Sequence, residues 1–346
     1  MTAHASPSSG VAVVRRPNRV RLAWLLALTA VTVVLVAASI TIGSRAVSWD
    51  EIVAAFTGSQ DTLAVAAVGQ RFPRTVLGLV VGGALGVAGA VMQGVTRNPL
   101  ADPGILGVNM GASLAIVAGI AWFGLSSATG YIWVAIAGSA VAAVFVYAVG
   151  SMGRGGATPL KLALAGAATS AALVSFVTAI SLPRGDISGN VRSWLIGGVG
   201  GATWNAVSLV APFLLAGFVV SLLTASSLNS LALGDELAAG LGERVAVARG
   251  VAALGAVLLC GAATAVAGPI AFVGLVVPHA CRLLIGVDHR WLLPFSGVAG
   301  AGLLLGADII GRVIARPAEI DAGIVTAVIG APVFIAIVRR QKVKSL

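Results

Sequence analysis

Of 346 residues, 58% are hydrophobic and 10% charged, with a mean hydropathy of +1.02, against roughly 25% charged residues in a soluble domain. This excludes a large globular enzyme and predicts a polytopic membrane protein, a class in which 45 glycines allow close helix approach. The net charge of +10 is scattered between apolar runs rather than gathered on one face, so it reports topology and not nucleic-acid binding.

Residues 1–21 form a polar tail ending in Arg15, Arg16, Arg19 and Arg21. The apolar run that follows is too long for a signal-peptide core and reads as a first membrane span. Ten spans are predicted, at 22–42, 75–95, 106–124, 131–149, 160–181, 206–226, 245–267, 269–285, 292–313 and 321–338. Each is close to what a hydrocarbon layer of about 30 Å requires. Gly268-Pro269 divides the apolar stretch 245–285 into two spans by a tight reversal. The expected fold is all-α, one transmembrane domain over 22–340, with 341–346 as a C-terminal tail.

Lys and Arg set the orientation. With both termini on one side, that side holds the N-terminal arginines, Arg339, Arg340, Lys342 and Lys344, and the connector residues Arg97, Arg154, Lys161, Arg244, Arg249, Arg282 and Arg290. The opposite side holds Arg45, Arg71, Arg74, Arg184, Arg192, Arg312 and Arg316. The excess on the first side predicts that both termini are cytoplasmic.

Leu228–Gly250 is the one stretch too polar for hydrocarbon. It carries Asp235, Glu236, Glu243, Arg244 and Arg249, with Leu228, Leu231, Leu233, Leu237 and Leu241 at helix-like intervals. Asn229 or Ser230 is expected to cap one short helix, and Gly234 before Asp235 and Glu236 to open a second. Gly240 and Gly242 keep the pieces short. The charge count places this stretch in the cytoplasm, where an apolar side can meet a partner.

Chemistry is sparse elsewhere. There is no phosphate-binding loop of the Gly-x4-Gly-Lys-Ser/Thr type, and the Gly-rich Ile196–Gly201 follows no strand. His4, His279 and His289 lack metal-ligand spacing, Cys260 and Cys281 sit singly in apolar runs, and no catalytic triad is readable. No catalytic residue, metal site or bound cofactor is expected. A proton- or sodium-driven carrier needs ionisable groups in mid-membrane. There are almost none here: Asp308 lies toward the outer end of span nine and reads as an interfacial i,i+4 pair with Arg312. Energy delivered by a separate cytoplasmic subunit fits better, with a secondary transporter or channel as the rival class. On the outer side, Arg71 and Arg74 flank Phe72-Pro73 before span two, and Arg312 and Arg316 sit at the end of span nine. Four guanidinium forks suit an acidic docking partner.

The stretches RFPRTVLGLVVGGALGVAGAVMQGVTRNPLADPGILGVNMGAS (71–113), LNSLALGDELAAGLG (228–242), GPIAFVGLVVPHACRLLIGVDHR (268–290) and GADIIGRVI followed by IGAPVFIAIVRR (306–340) resemble the permeases of iron-siderophore and vitamin B12 importers. The likeness covers about 22–340 and is nearest to catecholate siderophore permeases. PAEIDAG at 317–323 departs from the usual acidic-aliphatic-proline turn, and the N-terminal tail is unmatched.

The resemblance implies a type II ABC importer fold in a bacterial cytoplasmic membrane. Its partners are a second permease subunit (heterodimer favoured, homodimer possible), two cytoplasmic ATPases that use ATP and Mg, and an external substrate-binding protein. It assigns ATPase coupling to 228–244, through Leu228, Asn229, Leu233, Gly234, Asp235, Glu236, Leu237, Leu241, Gly242, Glu243 and Arg244. It assigns binding-protein docking to Arg71, Arg74 and Arg312, to which the residue reading adds Arg316. Span five, the segment near Ser193–Gly200 and span ten would line the path, and Thr158 and Pro159 would sit at the cytoplasmic gate. The expected cargo is a ferric siderophore, with vitamin B12, haem and hydroxamate chelates as alternatives.

Overall fold

The computed structural model describes residues 17–45, 47–56, 63–152, 159–185 and 194–343. These are helical, with no strand among the described residues. In chain order the helices are α1 (Asn18–Thr41), α2 (Trp49–Phe56), α3 (Leu63–Thr96), α4 (Val108–Phe123), α5 (Ala128–Ser151), α6 (Pro159–Ser181), α7 (Trp204–Leu223), α8 (Ala225–Ala232), α9 (Asp235–Gly240), α10 (Val245–Ala267), α11 (Val273–Ile285), α12 (His289–Ile314) and α13 (Ala322–Val343). Each of the ten predicted spans coincides with one of them. Seven helices are long and apolar enough to cross a membrane, while Val108–Phe123, Val273–Ile285 and the stretch Ala322–Ala336 are shorter.

Local chemistry sets the helix ends. Ser127, Thr203 and Asp288 cap α5, α7 and α12 by accepting the backbone N–H of Gly130, Ala206 and Arg290. α2 opens on a capping box, with Ser48 N–H on the Glu51 carboxylate and Glu51 N–H on Ser48 Oγ. The reversal after α10 is made at Gly268, whose φ of +68° leaves the helix at no Cβ penalty. Thr158 lies outside the described residues, as do Ser193, residues 1–16 and 344–346; Pro159 is the first residue of α6.

α3 corrects one expectation. Its helix begins at Leu63, not at 75, and runs through Pro73. Its 34 residues are about 51 Å long at 1.5 Å per residue, so the helix outruns the hydrocarbon layer at its N-terminal end. Arg71 and Arg74 therefore sit three apart on a helix face, inside α3 rather than before it. α3 is apolar all round and correspondingly buried over most of its length.

α3 and α12 form the axis of the bundle, with α10 and α11 also against α3 and α1 strapped along α12. The α3–α12 contact is made by glycines. A Cβ on Gly86 would lie on the Ser296 carbonyl oxygen, and one on Gly82 or Gly300 on the backbone carbonyl of the other. Close backbone approach through small residues is how helices associate where apolar burial gives no preference over lipid. α1 inverts the usual pattern. Its polar Arg21, Thr32 and Ser39 are the buried ones, facing the bundle, while Leu26, Val31, Val33 and Val34 face outward.

Between α3 and α4 a 3-10 turn, Pro103–Leu106, is capped by Asp102 accepting Gly104 N–H at 2.7 Å. Burial pushes the Asp102 carboxyl up to about 6 from 3.8, against the opposing pull of that hydrogen bond.

Gly86→Val should therefore lower the thermal midpoint of the purified protein sharply, because overpacking at a backbone contact costs about 1–3 kcal/mol or more. Gly306→Ala, on α12 but facing open space, should leave the midpoint unchanged or raised. Equal midpoints for the two variants would remove the glycine contact from the argument. A second expectation concerns pH. A folded-state value of about 6 above an unfolded 3.8 means that the native state holds this proton more tightly. Its contribution is thus full below pH 4 and lost as pH rises through 6, by up to about 3 kcal/mol. Asp102→Asn should raise the midpoint at pH 7.5, and the gain should shrink at pH 5.

Candidate functional site

Two polar clusters occupy opposite ends of the α3–α12 pair. At the end formed by the N-terminal part of α3 and the C-terminal part of α12, Asp308 is fully buried. Its Oδ1 accepts Arg74 Nε at 3.1 Å and Nη2 at 2.7 Å, and its Oδ2 accepts Arg312 Nη2. Arg74 Nη1 continues to Glu319 Oε2 at 2.7 Å, and Ser44 Oγ donates to Glu319 Oε1 at 2.7 Å. Burial tends to raise the Glu319 carboxyl, but the Arg74 and Ser44 hydrogen bonds outweigh it and hold the group below its usual value.

The remaining donors end on the C-terminus of α1. Arg312 Nη1 donates to Ser39 O at 2.7 Å; Arg71 donates to Ile40 O, Thr41 O and Arg45 O at 2.8–3.0 Å; and Arg316 Nη2 donates to Gly43 O at 2.7 Å. Helix C-termini leave carbonyls unpaired and carry partial negative charge. α1 has no basic residue in its last turn, so cations from α3, α12 and the loop after it supply what α1 lacks.

The four outer arginines expected to face a partner are thus all engaged within the chain. Arg71 is 6% exposed and Arg312 1%, whereas Arg316 and the Arg74–Glu319 pair reach the rim. The Asp308–Arg312 pair has the expected i,i+4 spacing, but it is interior rather than interfacial. The reason is Arg74, which reaches Asp308 from a neighbouring helix and permits burial of an otherwise uncompensated charge.

At the opposite end, Asn229 of α8 bridges to the start of α12. Its Nδ2 donates to Asp288 Oδ1 at 2.8 Å, and its Oδ1 accepts His289 N–H at 2.8 Å and faces His289 Nδ1 at 2.9 Å. Arg290 Nη2 donates to Ser226 Oγ at 3.0 Å. Burial raises the Asp288 carboxyl, but the Asn229 amide, the Arg290 N–H and the charges of Arg21 and Arg290 more than offset it, and the group is held low. Asn229 is therefore a tie in mid-helix. Neither it nor Ser230 caps α8, whose N-cap is Thr224.

Gly234 opens α9 at φ +107°, with Asp235 and Glu236 in the first turn as the sequence predicts. Asp235 is held by Arg249 at 2.7 Å and Arg97 at 2.9 Å. The leucines divide. Leu228 and Leu231 are fully buried in the bundle, whereas Leu233, Leu237 and Leu241 are 57%, 63% and 67% exposed beside exposed Glu236, Gly242 and Arg244. Glu243 N–H closes the turn on Ala238 O.

Sequence reasoning missed Glu319, the Asn229–Asp288–His289 tie and the burial of Asp102. The i,i+4 spacing of Asp308 and Arg312 was the one local signal for the outer cluster.

Long apolar helices around a glycine-packed axis, with a small polar element at one end, define a polytopic integral membrane protein. The chain belongs to the FecCD transport family, whose profile matches residues 31–340. It is 46% identical over 311 residues to the ferric enterobactin transport system permease protein FepD of Escherichia coli, covering 89% of this chain and 92% of that protein. It is 41% identical over 323 residues to the Bacillus subtilis protein YfiZ, described as a siderophore transport system permease, covering 92% and 96%. A solved inward-facing structure described as a metal-chelate type ABC transporter superposes with a TM-score of 0.79 at 28% identity, covering 92% of this chain and 99% of that one. Permeases named for iron(3+)-hydroxamate, Fe(3+)-citrate and hemin match as well. The chain is an ABC-transporter permease of the iron-siderophore family.

Asp308→Asn leaves the buried Arg312 guanidinium without a carboxylate partner and Arg74 with Glu319 alone, and should cost about 3–5 kcal/mol of stability. Adding Arg312→Met should recover part of that loss in thermal unfolding of the detergent-solubilised protein. Wild-type stability in the single variant would show that the cluster is not a structural clamp.

Proposed function

We propose that this chain is the membrane subunit of an ATP-driven importer that carries a ferric siderophore, of the catecholate type, across the bacterial cytoplasmic membrane. Both termini and the α8–α9 element lie in the cytoplasm. A second permease subunit, two ATPases and an external binding protein complete the complex, and the ATPases use the ATP and Mg. The observation that carries this reading is the exposed trio Leu233, Leu237 and Leu241 on an element tied through Asn229 to the end of α12. Exposed apolar side chains on a polar connector mark a contact with another protein. The coupling residues fall in two groups. Leu228 and Asn229 fix α8 to the bundle, and Leu233 to Arg244, by way of Gly234, Asp235, Glu236 and Gly242, present α9 to an ATPase.

At the other end, exposed Arg316 and the Arg74–Glu319 pair form the accessible part of a docking rim for acidic side chains of the binding protein. Arg71, Arg312 and Arg316 shape that rim by holding residues 39–45. The exposed faces of α6 and α13, with Leu160, Leu164, Phe176, Val328 and Ile335 outward, suit a second subunit, and a path between subunits would pass there, with its gate near Thr158 and Pro159. The FepD likeness favours a catecholate chelate; hydroxamate, citrate and haem relatives define the competing cargoes.

The test is uptake of iron-labelled chelates by vesicles containing the full complex. ATP and binding protein together should drive accumulation of a ferric catecholate. Leu237→Asp combined with Leu241→Asp should cut uptake at least about tenfold, the loss expected when interface anchors are removed, while leaving the folded subunit intact. Uptake driven by an ion gradient without ATP would move the chain to the secondary transporters, and preference for a hydroxamate would change the cargo.

A further inference from the structure

Between α3, α5, α6 and α10, at the same end as α9, lies a cavity of about 390 Å³. Its walls are Val95, Leu106, Val144, Leu254 and Val257, and its polar residues include Arg97 and Arg249. That volume falls within the range of small-ligand pockets, roughly 300–1,000 Å³. The lining is apolar where an acyl chain would lie. Both arginines contact Asp235 through a single oxygen, Oδ1. One carboxylate between two guanidinium groups leaves the site with a surplus positive charge. Arg249 Nε is also buried with no hydrogen-bond partner among the described residues.

We propose that this cavity binds one acyl chain of an anionic phospholipid, with the phosphate held by Arg249 and Arg97. Basic pockets between membrane helices hold anionic headgroups by the same electrostatics. The phosphate would share the arginines with Asp235, which is in the first turn of α9. Lipid occupancy would thus bear directly on the orientation of the element that carries Leu237 and Leu241. The binding itself does not depend on the transport reading.

The full-length chain in nanodiscs of equal phosphatidylglycerol and phosphatidylcholine tests this by native mass spectrometry of lipid retained on release. One phosphatidylglycerol should remain bound, in preference to phosphatidylcholine. Gly250→Phe should abolish retention, because Gly250 lines the cavity and a Cβ there meets open space, with helicity and monodispersity as controls for folding. Arg249→Gln should weaken retention roughly fivefold, the effect of one cation beside an anionic headgroup, and Arg249→Lys should restore part of it. No retained phosphatidylglycerol in the wild type, equal retention of both lipids, or retention unaffected by Gly250→Phe would overturn the proposal.

Discussion

Asp308 sits where water cannot reach it, and everything around it follows from that. A buried carboxylate costs several kcal/mol of lost hydration unless charge and hydrogen bonds compensate it completely. Here compensation comes from two helices at once. Arg312 is one turn along α12, and Arg74 must reach across from α3. That reach is possible only if the two helix axes are close, and Gly82, Gly86 and Gly300 set their separation. The charge cluster and the glycine contact are therefore one constraint expressed at two places. Widening the axis would strand Asp308, and removing Asp308 would take away the one carboxylate that Arg74 and Arg312 share. The same guanidinium groups hold the end of α1, so the strap depends on the clamp as well.

A stiff axis has a mechanical consequence. α12 spans 26 residues, about 39 Å, and both of its ends are tied by side-chain hydrogen bonds and ion pairs. Asp308 and Arg312 fasten one end, and Asp288 and His289 fasten the other to Asn229. In the proposed cycle, displacement of α9 by an ATPase is not absorbed locally, because α8 is hydrogen-bonded to α12 and Leu228 and Leu231 are sunk in the bundle. A rigid element between two sites is the physical form that long-range coupling takes here. The proposed docking rim and the proposed coupling element then belong to one body.

What the sequence made legible is what depends on neighbours along the chain. Hydropathy located the spans, Gly268 and Pro269 announced the reversal, Gly234 with two acids marked the start of α9, and i,i+4 spacing paired Asp308 with Arg312. The rest is long-range. Arg74 and Asp308 are 234 positions apart, and nothing local says that they meet. Asn229 was read as a cap or contact because such residues favour helix starts; its real partners lie some 60 residues on. The start of α3 was misplaced because Pro73 ordinarily ends a helix, and here packing overrides it. Periodicity grouped the leucines of 228–241 into one apolar side, yet the turn at Gly234 rotates α9 away from α8, sending Leu237 outward while Leu228 stays in.

The same geometry bears on where a cargo could pass. A route through the middle of this bundle would have to part α3 from α12 and α11, and those contacts are backbone to backbone at Gly82, Gly86 and Gly89. Such contacts have no side chain that can swing aside. They open only if whole helices separate, and that would expose Asp308. The described faces of α6 and α13 present the opposite case. They carry large exposed side chains on helices packed to the bundle along one side only, and side chains there can move without breaking a buried pair. The glycine axis that makes this subunit rigid therefore supports the proposal of a path beside a second subunit rather than within a single chain.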